Sequence, residues 1–202
     1  MAEAPLVAVL AAGRATRFGG GKLEAMCAGK PLGRWAVEAV KAAGLAPGVI
    51  VTGPDGVSFA AGWTALVNPR PEEGLGSSLA IAARHALDGD APALLVLLAD
   101  MPLVTAAFLR DLAAAPAPTA TRHPDGRPGV PALLDRDLIA AAAQSTSDRG
   151  AGPLLRGAAF LDAPAGTLRD VDIAADLDDV ARLLALRDAI RPNAPSPARP
   201  RA

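Results

Sequence analysis

LVAVLAAGRATRFGGGK, residues 6–22, decides how the rest of the chain is read. Leu6–Ala11 is a short apolar run that gives way to Gly13, the form of a strand buried on both faces. Beyond it lies a glycine-rich segment carrying Arg14, Arg17 and Lys22 within nine residues. A strand that ends abruptly in such a loop presents backbone and charge at one edge of a sheet.

Two phosphate-loop templates fail on this stretch. Counting back from Lys22, the P-loop's first glycine position holds Thr16, and Leu23 stands where Ser or Thr is needed. The dinucleotide fingerprint needs a second glycine two residues after the first, but Gly13 is followed by Arg14 and Ala15. The chemistry still suits phosphate. Gly13, Gly19, Gly20 and Gly21 allow several N–H groups to turn toward one anion. Arg grips phosphate oxygens through paired donors, and Lys supplies a compact charge. A solvated turn with basic residues facing water satisfies the same residues.

Outward from the loop, short apolar runs alternate with helical patterns. Pro31 opens a helix in which Leu32, Trp35, Val37, Ala39 and Val40 recur, closed by Gly44. Val49–Val51 is a second strand, Ser77–Leu87 a helix with serines at its start, and Leu94–Leu98 a strand ending at Asp100. Thr105 opens a helix through Leu112; Thr119–Arg122 and Ala132–Leu134 read as strands, Asp135–Ala143 and Asp176–Ala189 as helices. This order predicts an α/β, three-layer, doubly wound and mostly parallel sheet, with ligands outside the carboxyl ends of the strands. Residues 1–190 are expected to form one domain, and the Pro-rich tail 191–202 to lie outside it, disordered.

The chain has 202 residues and a formal net charge of −1, so nothing basic points to nucleic acid. Its one cysteine, Cys27, forms no disulfide framework and reads as a small apolar residue. The apolar start is too short for a signal peptide, and no window reaches the length of a membrane span, so a cytoplasmic protein is expected. His85 sits mid-helix and His123 in a loop; neither has ligand spacing, and both read as structural or surface residues.

The loop closely resembles the signature of the nucleotidyltransferases related to molybdenum cofactor cytidylyl- and guanylyltransferases, L-A-[AG]-G-x-x-x-R-[MF]-G-x-x-K. The resemblance continues through GKPLGRWAVEAV, VNPRPEEGLGSSLAIA, LLVLLADMPLV, DRGAGPLLR and LRDVDIAADLDDV, in the family's order over about residues 7–185. It implies the Rossmann-like nucleotide-diphospho-sugar transferase fold and Mg²⁺-dependent transfer of a nucleotide from an NTP. The implied acceptor is a phosphorylated pterin such as molybdenum cofactor, with a molybdoenzyme or its chaperone downstream. A sugar or polyol phosphate acceptor, or a non-catalytic delivery protein, are the rival readings. Leu-Ala-Ala-Gly, rather than Leu-Ala-Gly-Gly, is closer to the cytidylyl branch; the extra methyl narrows the space beside the base and favours CTP over GTP.

The resemblance places nucleotide contacts at Leu10, Ala11, Ala12, Gly13, Arg14, Arg17, Gly19, Lys22, Thr52, Asn68, Gly76, Ser77, Ser78 and Asp100. Arg17, Lys22 and Asp100 are the expected catalytic set. Asp100 stands at the end of a buried strand before Met101-Pro102, a position suited to Mg²⁺. Asp170 and Asp172 alternate on a predicted short strand, RDVDI, and so face one side. Asp172 aligns better as the second metal carboxylate, although a charged edge facing water fits as well. Ser77 and Ser78 are read as helix caps, anion contacts or both, and Asn68 as a base contact or a turn before Pro69. One departure stands out: Gly129-Val130-Pro131 replaces the family's frequent Gly-His-Pro, which bears on the acceptor.

Overall fold

A computed structural model describes residues 4–145 and 150–190. The tail 191–202 and part of DRGAGPLLR therefore lie outside the described residues. Strand β1 is Leu6–Ala11, and β2 (Met26–Cys27) and β3 (Lys30–Pro31) form a small antiparallel pair. Helix α1 (Arg34–Ala42), β4 (Val49–Thr52), β5 (Thr64–Val67), α2 (Leu75–Asp88) and β6 (Leu94–Leu98) come next. Then come α3 (Ala106–Ala114), β7 (Thr119–Arg122), β8 (Pro128–Leu134), α4 (Arg136–Ala143), β9 (Ala159–Asp162) and α5 (Ala174–Ile190).

The main sheet has seven strands in the order β5-β4-β1-β6-β8-β7-β9. All pairings are parallel except those of β8, which runs against β6 and β7. The alternation of side chains along β1 explains the three layers. Ala8 and Leu10 join a core with Leu79 and Ala83 of α2 and Ile139 of α4. Val7, Val9 and Ala11 join a second core with Val40 of α1 and Phe108, Leu109 and Leu112 of α3. Both faces are covered, which is why β1 and β6 are unbroken apolar runs and β4 is apolar up to Thr52. The expected fold class is the observed one: a mostly parallel, doubly wound, Rossmann-like sheet.

A third, smaller core closes the carboxyl side of the sheet. Cys27, Leu32, Trp35, Leu103, Val171, Val180 and Leu184 are buried together, with Phe18 and Leu23 packed against them. It draws α5 over β2 and β3 and anchors both the glycine-rich loop and the segment bearing Asp170 and Asp172.

Several boundaries differ from the sequence reading. The helix expected from Pro31 begins at Arg34, because Pro31 pairs with Met26 in β3 and Leu32 and Gly33 donate back to Ala25 and Leu23. The serine-capped helix begins at Leu75, so Ser77 and Ser78 lie inside its first turn and the N-cap is Gly74. RDVDI is not a strand: Arg169–Ile173 is irregular and unpaired in the sheet, held by the Val171 N–H bond to the Asp100 carbonyl. Thr105 and Asp135 do cap their helices, accepting from Phe108 and Leu138. Among the described residues no helix is long and apolar enough to cross a membrane.

The approach of the chain entering β4 to β1 allows no side chain at Gly48. A Cβ there would lie against the Val7 carbonyl oxygen and 2.9 Å from its nitrogen, both backbone atoms that cannot swing away. Gly48→Ala is expected to cost about 1–3 kcal/mol of stability by overpacking. Gly89→Ala, whose Cβ meets only ordinary contact at 3.5 Å, is expected to be neutral or slightly stabilising. Urea denaturation of the two variants checks the difference.

Candidate active site

The loop after β1 is folded on itself. Phe18 and Gly20 donate to the Ala15 carbonyl, and Gly19 donates to Thr16. Ala15 adopts φ 48° and Gly19 and Gly20 φ 93° and 94°, conformations that favour glycine and that hold a non-glycine residue only under constraint. Two anchors supply that constraint. Phe18 and Leu23 pack into the third core. The Glu24 carboxylate accepts from the Ser58 N–H at 2.7 Å and its hydroxyl at 2.6 Å, tying the loop to the segment after β4. Gly13, Arg14 and Arg17 are left exposed, whereas Leu10, Ala11 and Ala12 are buried at the root of the loop.

Lys22 is the exception among the loop cations: it is buried, at 7 % exposure. Its Nζ lies 2.7 Å from Asp100 Oδ2 and 3.8 Å from Asp172 Oδ1. Arg17 reaches Asp172 Oδ2 at 3.5 Å. The expected catalytic set and both expected metal carboxylates thus form one ion cluster, in which Lys22 and Asp100 lie 78 residues apart along the chain. Among the described residues Asp100 Oδ1, the oxygen not bound by Lys22, is shielded from solvent and has no hydrogen-bond partner. Burial raises the Asp100 carboxyl above the usual Asp range; the Lys22 cation opposes that shift, and the charge of Asp170 adds to it.

Val171 explains why the acids meet. It is fully buried in the third core, and its N–H donates to the Asp100 carbonyl at 3.1 Å. With Val171 turned inward, Asp170 and Asp172 on either side stay outside the core. Asp172 and Ile173 N–H groups donate to Asp176 Oδ2 at 3.0 Å, which fixes the start of α5. Sequence reasoning finds both acids but assigns their common facing to a strand. The burial of Val171 and its backbone bond do that work instead, and the apolar residue between two acids is the only local sign of it.

A second group lies further along the same rim. Ala11 pairs with Thr52, and Thr52 with Val67, so β1, β4 and β5 end level; Asn68 N–H donates to the Thr52 carbonyl at 2.8 Å. Thr52 and Asn68 are buried. The Asn68 amide donates to Ser77 Oγ at 2.8 Å and Ser78 Oγ at 3.0 Å, and its Oδ1 accepts from Arg70 N–H at 3.0 Å. Ser77 Oγ donates to the Gly74 carbonyl at 2.8 Å, and Gly76 is buried in the same helical turn. Asn68 thus serves as a turn and a helix brace. No bond links this group to the Lys22 cluster among the described residues. From β5 to β6 the rim spans three strand spacings, about 14 Å, the scale of a nucleotide. A cavity of about 670 Å³ includes Asn68, Ser77, Arg70 and Arg84 along the outer side of α2 and none of the loop.

The raised Asp100 carboxyl has a definite sign in stability. The folded chain holds that proton more tightly than the unfolded one, so Asp100 contributes stability below the ordinary carboxylate range and loses it as pH rises through the folded value. Asp100→Asn keeps the neutral form at all pH. Its thermal stability is expected to match the native protein near pH 4 and to exceed it increasingly toward pH 8. Melting curves across that range check this; a uniform loss at every pH contradicts it.

Solved structures share this fold. Rv0371c from Mycobacterium tuberculosis is 24 % identical with a TM-score of 0.74, over 90 % of this chain and 100 % of that one. A nucleotidyl transferase from Methanothermobacter is 21 % identical with a TM-score of 0.76, over 92 % and 100 %. A CMP:2-keto-3-deoxy-manno-octonic acid synthetase complexed with CTP is 18 % identical with a TM-score of 0.70, over 92 % and 100 %. Likeness at these identities establishes a shared fold. Among curated proteins none matches the sequence significantly. The MobA-like NTP transferase domain matches residues 7–164, which takes in the glycine-rich loop, Lys22 and Asp100. With a match over that much of its length, the chain belongs to the MobA-like NTP transferase family.

Proposed function

We propose that the protein transfers a nucleoside monophosphate from CTP to a phosphorylated pterin of the molybdenum cofactor type, with Mg²⁺, releasing pyrophosphate. The observation that carries this reading is the cluster of Lys22, Arg17, Asp100 and Asp172 at the carboxyl rim, where the loop cations and two acids meet. Mg²⁺ takes one or two carboxylates and completes its shell with water and phosphate oxygens. Asp100 and Asp172 suit that demand, and the unpartnered Asp100 Oδ1 is the acceptor a cation would satisfy. Among the described residues no three His, Cys, Asp or Glu are grouped as a self-sufficient metal cage, in keeping with a metal delivered with the substrate. Rv0371c has been crystallised with manganese, at 21 % identity and a TM-score of 0.71, which supports a divalent cation in this fold.

An acceptor phosphate oxygen attacks the α-phosphorus; the new P–O bond forms as the bond to the β-phosphate oxygen breaks, and pyrophosphate leaves with those electrons. A divalent cation held by Asp100 and Asp172 would neutralise phosphate charge. Lys22 exchanges its carboxylate partners for triphosphate oxygens, and exposed Arg17 approaches the same oxygens from the loop. No protein nucleophile is needed, because positioning and charge neutralisation supply most of the rate in such transfers. Buried Ala11 and Ala12 narrow the root of the loop, which supports a pyrimidine. A molybdoenzyme or its chaperone is the consumer of such a product.

The test is pyrophosphate release from CTP, GTP, ATP and UTP with Mg²⁺ and the pterin phosphate. CTP is expected to lead, and Asp100→Ala to fall by ~100-fold or more. Release no greater than that of the variant removes the proposal. A second outcome is sharper. Lys22 neutralises the carboxylates a metal would use, so Lys22→Met is expected to bind Mn²⁺ alone several-fold more tightly than the native protein while losing turnover. Electron paramagnetic titration of free Mn²⁺ reads this directly.

A further inference from the structure

The peptide N–H groups around Asp172 are all engaged. Val171 donates to the Asp100 carbonyl, and Asp172 and Ile173 both donate to Asp176 Oδ2 at 3.0 Å. Part of this is ordinary helix chemistry. α5 begins at Ala174, so Ile173 precedes it and Asp176 stands in its first turn. An acid there that reaches back to the cap N–H is the acidic half of a capping box. The bond from Asp172 is not needed for that. It lies outside the helix and falls on the backbone of a carboxylate at the ion cluster.

A side chain's direction follows from the two soft dihedrals of its residue, and these are set once the peptide planes on either side are set. The Asp172 N–H belongs to the plane before its Cα, and the Ile173 N–H to the plane after it. Asp176 Oδ2 grips both. The Asp172 side chain is 51 % exposed, so packing alone does not aim it. Yet its carboxylate lies 3.5 Å from Arg17 and 3.8 Å from Lys22.

Asp176 is itself held. Arg169 Nη2 lies 3.4 Å from Asp176 Oδ1 and 3.0 Å from Asp179 Oδ2, and Arg182 donates to the other Asp179 oxygen at 3.0 Å. The acid-bearing segment is thus closed onto α5 at both ends: Arg169 binds forward at its start, and Asp176 binds back at its finish. The Arg169 cation also offsets the like charges that Asp176 and Asp179 bring toward Asp172.

We propose that Asp176 is a positioning residue: by binding both peptide N–H groups that flank Asp172, it aims that carboxylate at the cation site, and Arg169 holds Asp176 in place. The proposal rests on the metal role given to Asp172 above.

The test is a double-mutant cycle on the full-length protein, read by electron paramagnetic titration of Mn²⁺ alone. Asp176→Ala is expected to weaken Mn²⁺ binding about tenfold. In an Asp172→Ala background the same substitution is expected to change it less than about twofold, because the residue through which it acts is gone. Helix capping alone predicts equal effects in both backgrounds. Asp176→Asn keeps a side-chain oxygen for the two N–H groups and is expected to restore most of the affinity. Arg169→Met leaves both N–H bonds in place and is expected to give a smaller loss, again only where Asp172 is present; it carries the test should Asp176→Ala fail to fold. In turnover, Asp176→Ala should raise the Mg²⁺ concentration for half-maximal rate, with kcat recovering at saturating metal. Unchanged Mn²⁺ affinity in Asp176→Ala, an equal loss with and without Asp172, or an Asn variant no better than Ala overturns the proposal. Absence of pyrophosphate release from every NTP, with the Mn²⁺ cycle as expected, removes the transferase reading and leaves this assignment standing.

Discussion

The site depends on one constraint: Val171 is buried in a small apolar core while its N–H is bound to the Asp100 carbonyl. That single residue ties a segment near the end of the chain to the strand end that bears the central acid. Its burial decides which neighbours remain in contact with water, and Asp172 is then within reach of both Lys22 and Arg17. The same core receives Phe18 and Leu23 from the glycine-rich loop. Apolar packing, rather than the ion pairs themselves, brings four charged side chains together. This order of cause is sensible energetically, because a buried ion pair repays its desolvation only when the geometry is already provided.

The charge balance of the cluster has the same origin. Asp100 is desolvated with one oxygen unpartnered, and Asp170 adds repulsion, so Lys22 is its main compensation. A site of this kind is held away from its own stability optimum, as functional sites often are. Arg17 is exposed and Lys22 buried, so the two loop cations meet the acids from different depths.

Much of the fold is legible in the sequence because its strands are buried on both faces. β1 and β6 are continuous apolar runs, and their predicted limits, Leu6–Ala11 and Leu94–Leu98, are the observed ones. The edge strand β9 is not legible: Phe160 is exposed and nothing in AFLD alternates. The start of α1 is misleading because Pro31 suits a first helical turn, whereas tertiary pairing with Met26 claims it for β3. Gly74, not a serine, is the N-cap of α2, and Asn68 donates to both serine hydroxyls inside the first turn. In the site, Arg17, Lys22, Asp100 and Asp172 are readable as charges in a recognisable order.

The third core joins Phe18 and Leu23, near the amino end, to Val180 and Leu184 of α5. The family's domain match stops at residue 164, before that helix begins. During synthesis, then, the glycine-rich loop emerges early and waits for its support. A nascent chain lacking α5 would hold Phe18 and Leu23 of that loop without Val180 and Leu184, the part of the core that covers them.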